Sequence, residues 1–129
     1  MIVNSSPHLV EMNRVHLVWE NPDTTTAFNS QTIAVDLNKY SVIYITFRFS
    51  VEDDVYMTKM AINDLGMSTQ VCTMAHSNEH CIRNVTVHAD KVVFNYADVV
   101  RQTKSGSNQI ITTTVDNSYA IPYRIYGLM

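Results

Sequence analysis

Apolar and polar side chains alternate with a period of two along much of this chain. The clearest segment is 43–51, where Ile43, Ile45, Phe47, Phe49 and Val51 occupy every second position. Successive side chains of a strand point to opposite faces, so this alternation predicts a half-buried β-strand. A helical period would scatter the same residues around the helix axis, which excludes a helix here.

Similar patterns predict strands on both sides of this segment. They lie at 15–19, 32–37, 69–75, 82–88, 91–96, 110–115 and 119–129. The segments at 82–88 and 91–96 flank a two-residue turn and predict a hairpin. About eight or nine mostly antiparallel strands, with no long helix, predict an all-β fold, a β-sandwich.

Three segments need an interpretation beyond simple alternation. Residues 55–65 fit either a helical stripe or a strand, and the strand is favoured because both neighbouring segments are strands. Residues 97–103 are expected to form a short helical turn. Pro122 cannot donate a ladder hydrogen bond, which favours an edge or first position for the terminal strand.

The length of 129 residues predicts a single domain. We expect that domain to be 15–129, preceded by an arm at 1–14 that serves attachment or a subunit contact. Net charge is -3, which argues against a nucleic-acid partner. We expect no membrane insertion, because no apolar run approaches the roughly 20 residues of a membrane span. The first residues lack the regions of a signal peptide, so synthesis in a cytoplasm is expected.

One stretch carries both cysteines and two histidines: Cys72, His76, His80 and Cys81. These are zinc-binding residue types, but zinc sites usually divide their ligands between two separate knuckles. A polar hairpin turn with incidental histidines is the favoured interpretation. Cys72 and Cys81 are expected to be free thiols in a reducing cytoplasm, with a disulfide across the hairpin as the alternative.

Catalytic patterns are weak in this sequence. Glu52, Asp53 and Asp54 share one turn, whereas glycoside hydrolysis needs two carboxylates across a cleft. Asp36 and Asp116 are the remaining pair considered, and no Gly-x-Ser-x-Gly motif occurs. We therefore predict a protein that is not an enzyme and needs no cofactor or metal.

Tyrosine is abundant, with seven residues, and its flat ring with a polar rim suits interfaces and sugar stacking. Tyr44 and Arg48 are expected on one face of their strand, and Arg124 and Tyr126 on one face of the terminal strand. Subunit or sheet packing is favoured over ligand binding for these residues. Loop positions complete the candidate binding set: Thr25, Asn78 and Asn108. Trp19 is expected to be a core anchor.

The terminal run Ile-Pro-Tyr-Arg-Ile-Tyr-Gly, at 121–127, resembles the ends of small bacteriophage virion proteins such as tail-fibre tips and head fibres. A second resemblance lies at 17–40, where a tryptophan, an Asn-Pro turn, a Phe-x-x-Gln-Thr run and an aliphatic-Asp-Leu strand follow in that order. Together these patterns cover most of the chain from about residue 17 onward, with a divergent middle.

The resemblance implies a location in a virion and a non-enzymatic role, with no catalytic residues to carry over. It implies a homotrimer in which weak binding to a host surface glycan or protein is multiplied by copy number. Binding is expected on loops at one end, at 23–30, 77–80 and 105–108. The alternatives are a decoration, collar or adaptor subunit that binds only other virion proteins, and an unrelated carbohydrate-binding module.

Overall fold

A computed structural model describes residues 14–52, 54, 56–62, 66, 68–76 and 78–129, with only the backbone of 57–62 and 68–76. Nine strands form in this part of the chain: β1 (Val15–Glu20), β2 (Gln31–Ala34), β3 (Val42–Ser50), β4 (Tyr56–Ile62), β5 (Ser68–His76), β6 (Glu79–Val87), β7 (Lys91–Ser105), β8 (Asn108–Val115) and β9 (Tyr119–Leu128). The predicted strand at 55–65 is confirmed over Tyr56–Ile62, as β4, and its remaining residues lie outside the described chain. The predicted hairpin is confirmed as β6–β7. Of the predicted arm at 1–14, all but Arg14 lies outside the described residues.

The strands form two antiparallel sheets packed face to face, which confirms the predicted β-sandwich. Sheet A has the order β1-β9-β3-β4. Sheet B has the order β2-β7-β6-β5, and β8 also pairs with β7. In the described chain, no helix is long and apolar enough to cross a membrane.

Two predictions about individual strands are wrong. Residues 97–103 are not a helical turn, because β7 continues as a strand to Ser105 and pairs with both β6 and β8. Their ladder hydrogen bonds to two neighbours outweigh the weak local preference for a turn. The terminal strand is not at an edge either, since β9 lies between β1 and β3.

Pro122 is tolerated in this central strand because of a local irregularity. The register shifts between Thr46, which faces Arg124, and Phe47, which faces Pro122, so Tyr123 is an extra residue on β9. On the other side, β1 ends at Glu20, opposite Arg124, before it reaches Pro122. The missing N–H of Pro122 therefore lies where the ladder is already interrupted.

The inward faces of both sheets form one apolar core. The alternation in β3 buries Ile43, Ile45 and Phe47, as the sequence predicts. Beside them in sheet A lie Ala120, Ile121 and Ile125 of β9. Opposite them in sheet B lie the buried apolar side chains of β6 and β7: Cys81, Val85, Val87, Val92, Phe94, Ala97 and Val99. Trp19 is half-buried against this core, with its ring centroid 6.2 Å from that of Phe94.

A fully buried arginine, Arg83 on β6, lies within this core. Its Nε donates to the carbonyl of Ala120 at 2.9 Å, and its terminal nitrogens donate to the carbonyls of Asn95, Tyr119 and Asn117 at 2.7, 3.1 and 3.5 Å. Burial lowers the pKa of Arg83 to about 10, so the side chain stays charged at neutral pH. The guanidinium thus links sheet B to the first residues of β9 in sheet A.

Replacing Arg83 with methionine is expected to lower the free energy of unfolding by about 3 kcal/mol. Several buried carbonyls lose their donor, and each unsatisfied group costs about 1–3 kcal/mol, partly offset because no charge is then buried. Urea unfolding measures the change. Arg14→Met is the control: Arg14 is exposed and donates to the Met129 carbonyl at 3.0 Å. A loss for Arg83→Met no larger than the control's would contradict this role.

Gly127 of β9 leaves the space that the Tyr40 ring occupies, and a Cβ at this position would overlap that ring. Gly127→Ala is therefore expected to destabilise the fold by about 1–3 kcal/mol, as overpacking does. Thermal or urea unfolding checks this value. In a Tyr40→Ala background the same change should cost much less, since the obstructing ring is gone. Equal costs in both backgrounds would show that the ring is not the cause.

Candidate binding face

The outer face of sheet A brings aromatic and charged side chains into one patch. Tyr44 of β3 and Leu17 of β1 both lie opposite Tyr126 of β9. In the next row, Thr46 and Glu20 both lie opposite Arg124. Directly opposed residues on neighbouring strands share a face, so these side chains form two adjacent rows.

The extra residue Tyr123 extends this patch towards β4. The Arg124 guanidinium carbon lies 4.3 Å from the centroid of the Tyr123 ring, and that centroid lies 4.6 Å from the centroid of Tyr56. Arg124 also donates to the Tyr126 hydroxyl at 3.2 Å and forms an ion pair with Glu20. These contacts hold Arg124 against Tyr123 and Tyr126, and Tyr56 packs on the Tyr123 ring. We call the patch the tyrosine face: Leu17, Glu20, Tyr44, Tyr56, Tyr123, Arg124 and Tyr126.

Electrostatics favour a permanently charged Arg124. Hydrogen bonding to Tyr126, and then to Glu20, raises the pKa of the guanidinium further above its usual range. Stacking of Arg124 on the Tyr123 ring adds a cation–π contact. The face therefore offers flat aromatic surface, hydroxyl groups and the ion pair of Arg124 with Glu20, which suits hydrogen bonding and stacking with a polar partner.

Arg48 does not share this exposed surface. It is buried, donates from Nη1 to the carbonyl of Thr24 at 2.9 Å and forms an ion pair with Asp54 at 3.2 Å. Its contacts hold the loop at 21–30 beside the tyrosine face. The hydroxyls of Thr24 and Tyr56, 3.4 Å apart, connect the loop to that face directly.

The loop at 21–30 is internally ordered. The Asn21 side chain donates to the carbonyl of Pro122 at 2.8 Å, and its oxygen accepts from the backbone N–H of Asp23 at 3.0 Å. Asp23 in turn accepts from the backbone N–H of Thr25 at 2.8 Å and from the Thr25 hydroxyl. The predicted binding residue Thr25 is thus exposed and fixed beside the tyrosine face.

The same loop forms one wall of an open pocket of about 410 Å³. Trp19, Phe28 and Ile33 supply apolar walls, while Asp23 and Gln31 supply polar groups. The pocket lies on the inner side of β1, since Trp19 faces the buried Ile125, whereas Leu17 belongs to the outer face. Sequence reasoning placed Trp19 in the core, and the structure shows that it also lines this pocket.

The other predicted loop residues lie on sheet B. The side chain of Asn78 donates to the carbonyl of Gln102 at 3.3 Å, and Asn78 accepts from the backbone N–H of Gln102 at 2.8 Å. Asn108 lies opposite Ser105 at the tip of the β7–β8 hairpin. The structure therefore assembles Tyr44, Arg124 and Tyr126 on one face, with Thr25 beside it, and places Asn78 and Asn108 elsewhere.

The cysteine and histidine stretch gives no metal cluster within the described residues. Cys81 is buried and lies opposite Thr73, while Cys72 lies opposite Ile82. The side chains of Cys72 and His76 are outside the described part of the chain. Of the predicted acidic turn, Asp53 is outside it as well, and Asp54 pairs with Arg48.

Sequence reasoning missed four members of the face: Leu17, Glu20, Tyr56 and Tyr123. Leu17 and Glu20 join only because β1 pairs with β9, a pairing between opposite ends of the described chain. Tyr123 joins through the irregularity next to Pro122, and the proline was the available signal for it. In comparisons with family models, curated proteins and solved structures, nothing matches this chain.

Asp23 gives the loop a pH dependence. Hydrogen bonds from the side chain and backbone of Thr25 lower the pKa of Asp23 below its ordinary 3.8. The stability that this carboxylate contributes is therefore present above that value and lost as pH falls through the lowered pKa. We expect wild type to be more stable than Asp23→Asn at neutral pH, with a difference that shrinks as pH falls below 3.8.

Urea unfolding of both proteins across this pH range measures the difference. Thr25→Val is the matched control, because it removes the hydroxyl donor and keeps the backbone bond. Its stability should depend less on acid pH than that of wild type. A difference between wild type and Asp23→Asn that grows on acidification would contradict the assignment.

Proposed function

We propose that this protein is a non-enzymatic structural subunit of a bacteriophage particle, a fibre-tip or appendage domain that recognises the host cell surface. The tyrosine face is the observation that carries this proposal. The resemblance of residues 17–40 and 121–127 to phage virion proteins is the reason for proposing a phage particle and a host cell as the partner. The tyrosine face supplies the binding surface.

The chemistry of the face supports recognition of an external partner. Permanent subunit interfaces are rich in purely apolar side chains, whereas recognition surfaces are rich in tyrosine and arginine with a polar rim. Here Tyr123, Arg124 and Tyr126 are joined by hydrogen-bonded and stacking contacts. Such side chains lose little conformational freedom on binding, because they are already ordered by one another.

The proposed mechanism is weak contact by each subunit with a surface glycan or protein of the host. Several copies on one particle then bind together, and linking them raises avidity a hundredfold or more without new contacts. The loop at 21–30 is held against the face by Arg48 and Tyr56, and it would enlarge the contact area.

A second candidate is an adaptor or decoration subunit that binds only other virion proteins. The edge strand β1 favours it, because Val15 and Leu17 are exposed apolar residues on adjacent parts of that strand. In this case Leu17, at the β1 end of the tyrosine face, would be covered by another virion protein on the particle.

Display of the purified protein on fluorescent beads, followed by incubation with intact cells of the phage host, tests the proposal. We expect binding that falls by about tenfold or more in Tyr56→Ala and in Arg124→Gln, the effect of removing one strong contact. Tyr96→Ala is the control, since Tyr96 is 50% exposed on sheet B and Tyr56 is 45% exposed.

Mass spectrometry of purified particles separates the two candidates. Host-cell binding lost in the face variants, together with presence in the particle, supports the appendage role. Presence in the particle without cell binding supports the adaptor. Absence from the particle, or equal cell binding by wild type and both face variants, refutes the proposed recognition role.

A further inference from the structure

The β7–β8 hairpin extends beyond the body of sheet B as a two-stranded ribbon. The first residue of β6, Glu79, lies opposite Arg101, whereas β7 and β8 continue pairing to Ser105 and Asn108. Every residue of β8 is exposed, and so are residues 102–105 of β7. Isolated two-stranded hairpins are marginally stable in water, so this exposed ribbon is expected to have a further neighbour.

Apolar side chains lie on both faces of the ribbon. Ile110, Ile111 and Val115 are 43%, 61% and 58% exposed. Ile110 and Ile111 are consecutive, so they point to opposite faces. Both isoleucines are exposed, so neither face of the ribbon packs on the sandwich at this point.

The turn at the ribbon tip shows which backbone groups are free. Gly106 has φ 64°, and Ala120 is the one non-glycine residue in the described chain with positive φ, so Ser107 does not have it. This combination is a type II′ turn, which closes with a hydrogen-bonded Ser105–Asn108 pair. Because bonded residues alternate, β8 directs the N–H and C=O groups of Gln109, Ile111 and Thr113 away from β7.

That edge of β8 lacks the usual protection against pairing. Among the described strands, β8 pairs with β7 alone, and its register has no bulge. The eight residues Asn108–Val115 contain neither a charged residue nor a proline. Natural proteins protect exposed edges with lysine, proline or bulges, and β-branched residues such as those of β8 favour pairing.

We propose that β8 is a self-association edge, through which two copies of this chain pair β8 with β8 in antiparallel orientation. A two-fold contact places each residue opposite a residue of the same strand, so any charge on β8 would meet a like charge nearby. The uncharged sequence of β8 is compatible with this arrangement. Pairing joins the two hairpins into one four-stranded sheet that crosses both molecules.

The position of the two-fold axis follows from the shape around β8. Beyond Val115 the edge is occupied by the body, where the Asn117 carbonyl accepts from the backbone N–H of Phe28 and the Asn117 side chain donates to that of Asn29. Towards the tip the edge is open. An axis at Ile111 keeps both copies clear of the loop at 21–30, and it places Ile111 opposite Ile111 of the second copy. Gln109 then lies opposite Thr113 of the second copy.

This contact stands independently of the proposed host recognition, because it is a property of the purified chain. Its two-fold symmetry gives a dimer, whereas the resemblance to fibre proteins implies a homotrimer. Light scattering over a range of concentrations distinguishes the two by mass. We expect twice the mass of one chain, insensitive to added salt, because no charge takes part.

Two variants test the edge and one controls for it. Ile111→Lys places two lysines together at the axis, and Thr113→Pro removes an outward N–H without removing a β7 bond. Both should raise the dimer dissociation constant at least about tenfold while circular dichroism stays that of the wild type. Val15→Lys is the control, a 44% exposed residue on the edge strand of sheet A, and should leave the mass unchanged.

Disulfide trapping tests the register in a Cys72→Ser background. Ile111→Cys should give a covalent dimer on oxidation, because directly opposed, hydrogen-bonded residues place their Cα atoms about 5.5 Å apart, which a disulfide can span. Gln109→Cys should not, since position 109 lies opposite Thr113 of the second copy and the two cysteines would be several residues apart. A monomeric wild type, a trimer, or a dimer that survives both edge variants and yields no Ile111→Cys crosslink would overturn the proposal.

Discussion

The buried guanidinium of Arg83 is the constraint on which the arrangement of the two sheets depends. It comes from β6 in sheet B, and its acceptors include the carbonyls of Tyr119 and Ala120 at the start of β9 in sheet A. Burying a charge is costly, so the core must supply all of its partners in fixed positions. Here those partners are backbone carbonyls, which move only if the strands move. These hydrogen bonds therefore hold the two sheets in one relative position.

The backbone conformation at the start of β9 is also linked to Arg83. Ala120 has φ 49°, a conformation that costs a non-glycine residue about 1–2 kcal/mol. Its carbonyl accepts from Arg83 Nε, and its small side chain is fully buried. The strained residue thus aims a carbonyl at the guanidinium, and β9 continues from there into Pro122 and the extra residue Tyr123. The position of the tyrosine face therefore depends on the backbone conformation at the start of β9.

The exposed ribbon and the tyrosine face belong to different sheets and have different chemistry. The face combines aromatic rings with one arginine fixed by Glu20 and Tyr126, which suits a polar and variable partner. The ribbon offers an uncharged backbone edge, which suits a second copy of itself. A chain with both surfaces can present several recognition faces from one assembly.

Much of the architecture follows from the sequence alone. Alternation at 43–51 identifies β3 and its buried face, and the turn between 82–88 and 91–96 identifies a hairpin, because the side-chain period of a strand is local information. The same alternation places Arg83 on the face of Cys81, Val85 and Val87, so the buried arginine could have been inferred from its position.

Other features are decided only by tertiary structure. Residues 97–103 become strand through two neighbours, and Pro122 lies in a central strand because β1 ends before it and the ladder is irregular there. Arg48 is on the same side of β3 as Tyr44 by its position in the sequence, yet the loop at 21–30 covers it. The tyrosine face unites β1 and β9, whose pairing joins residues about as far apart in sequence as the described chain allows. Local periodicity fixes which side of a strand a residue occupies, but which strands become neighbours depends on the core that they bury together.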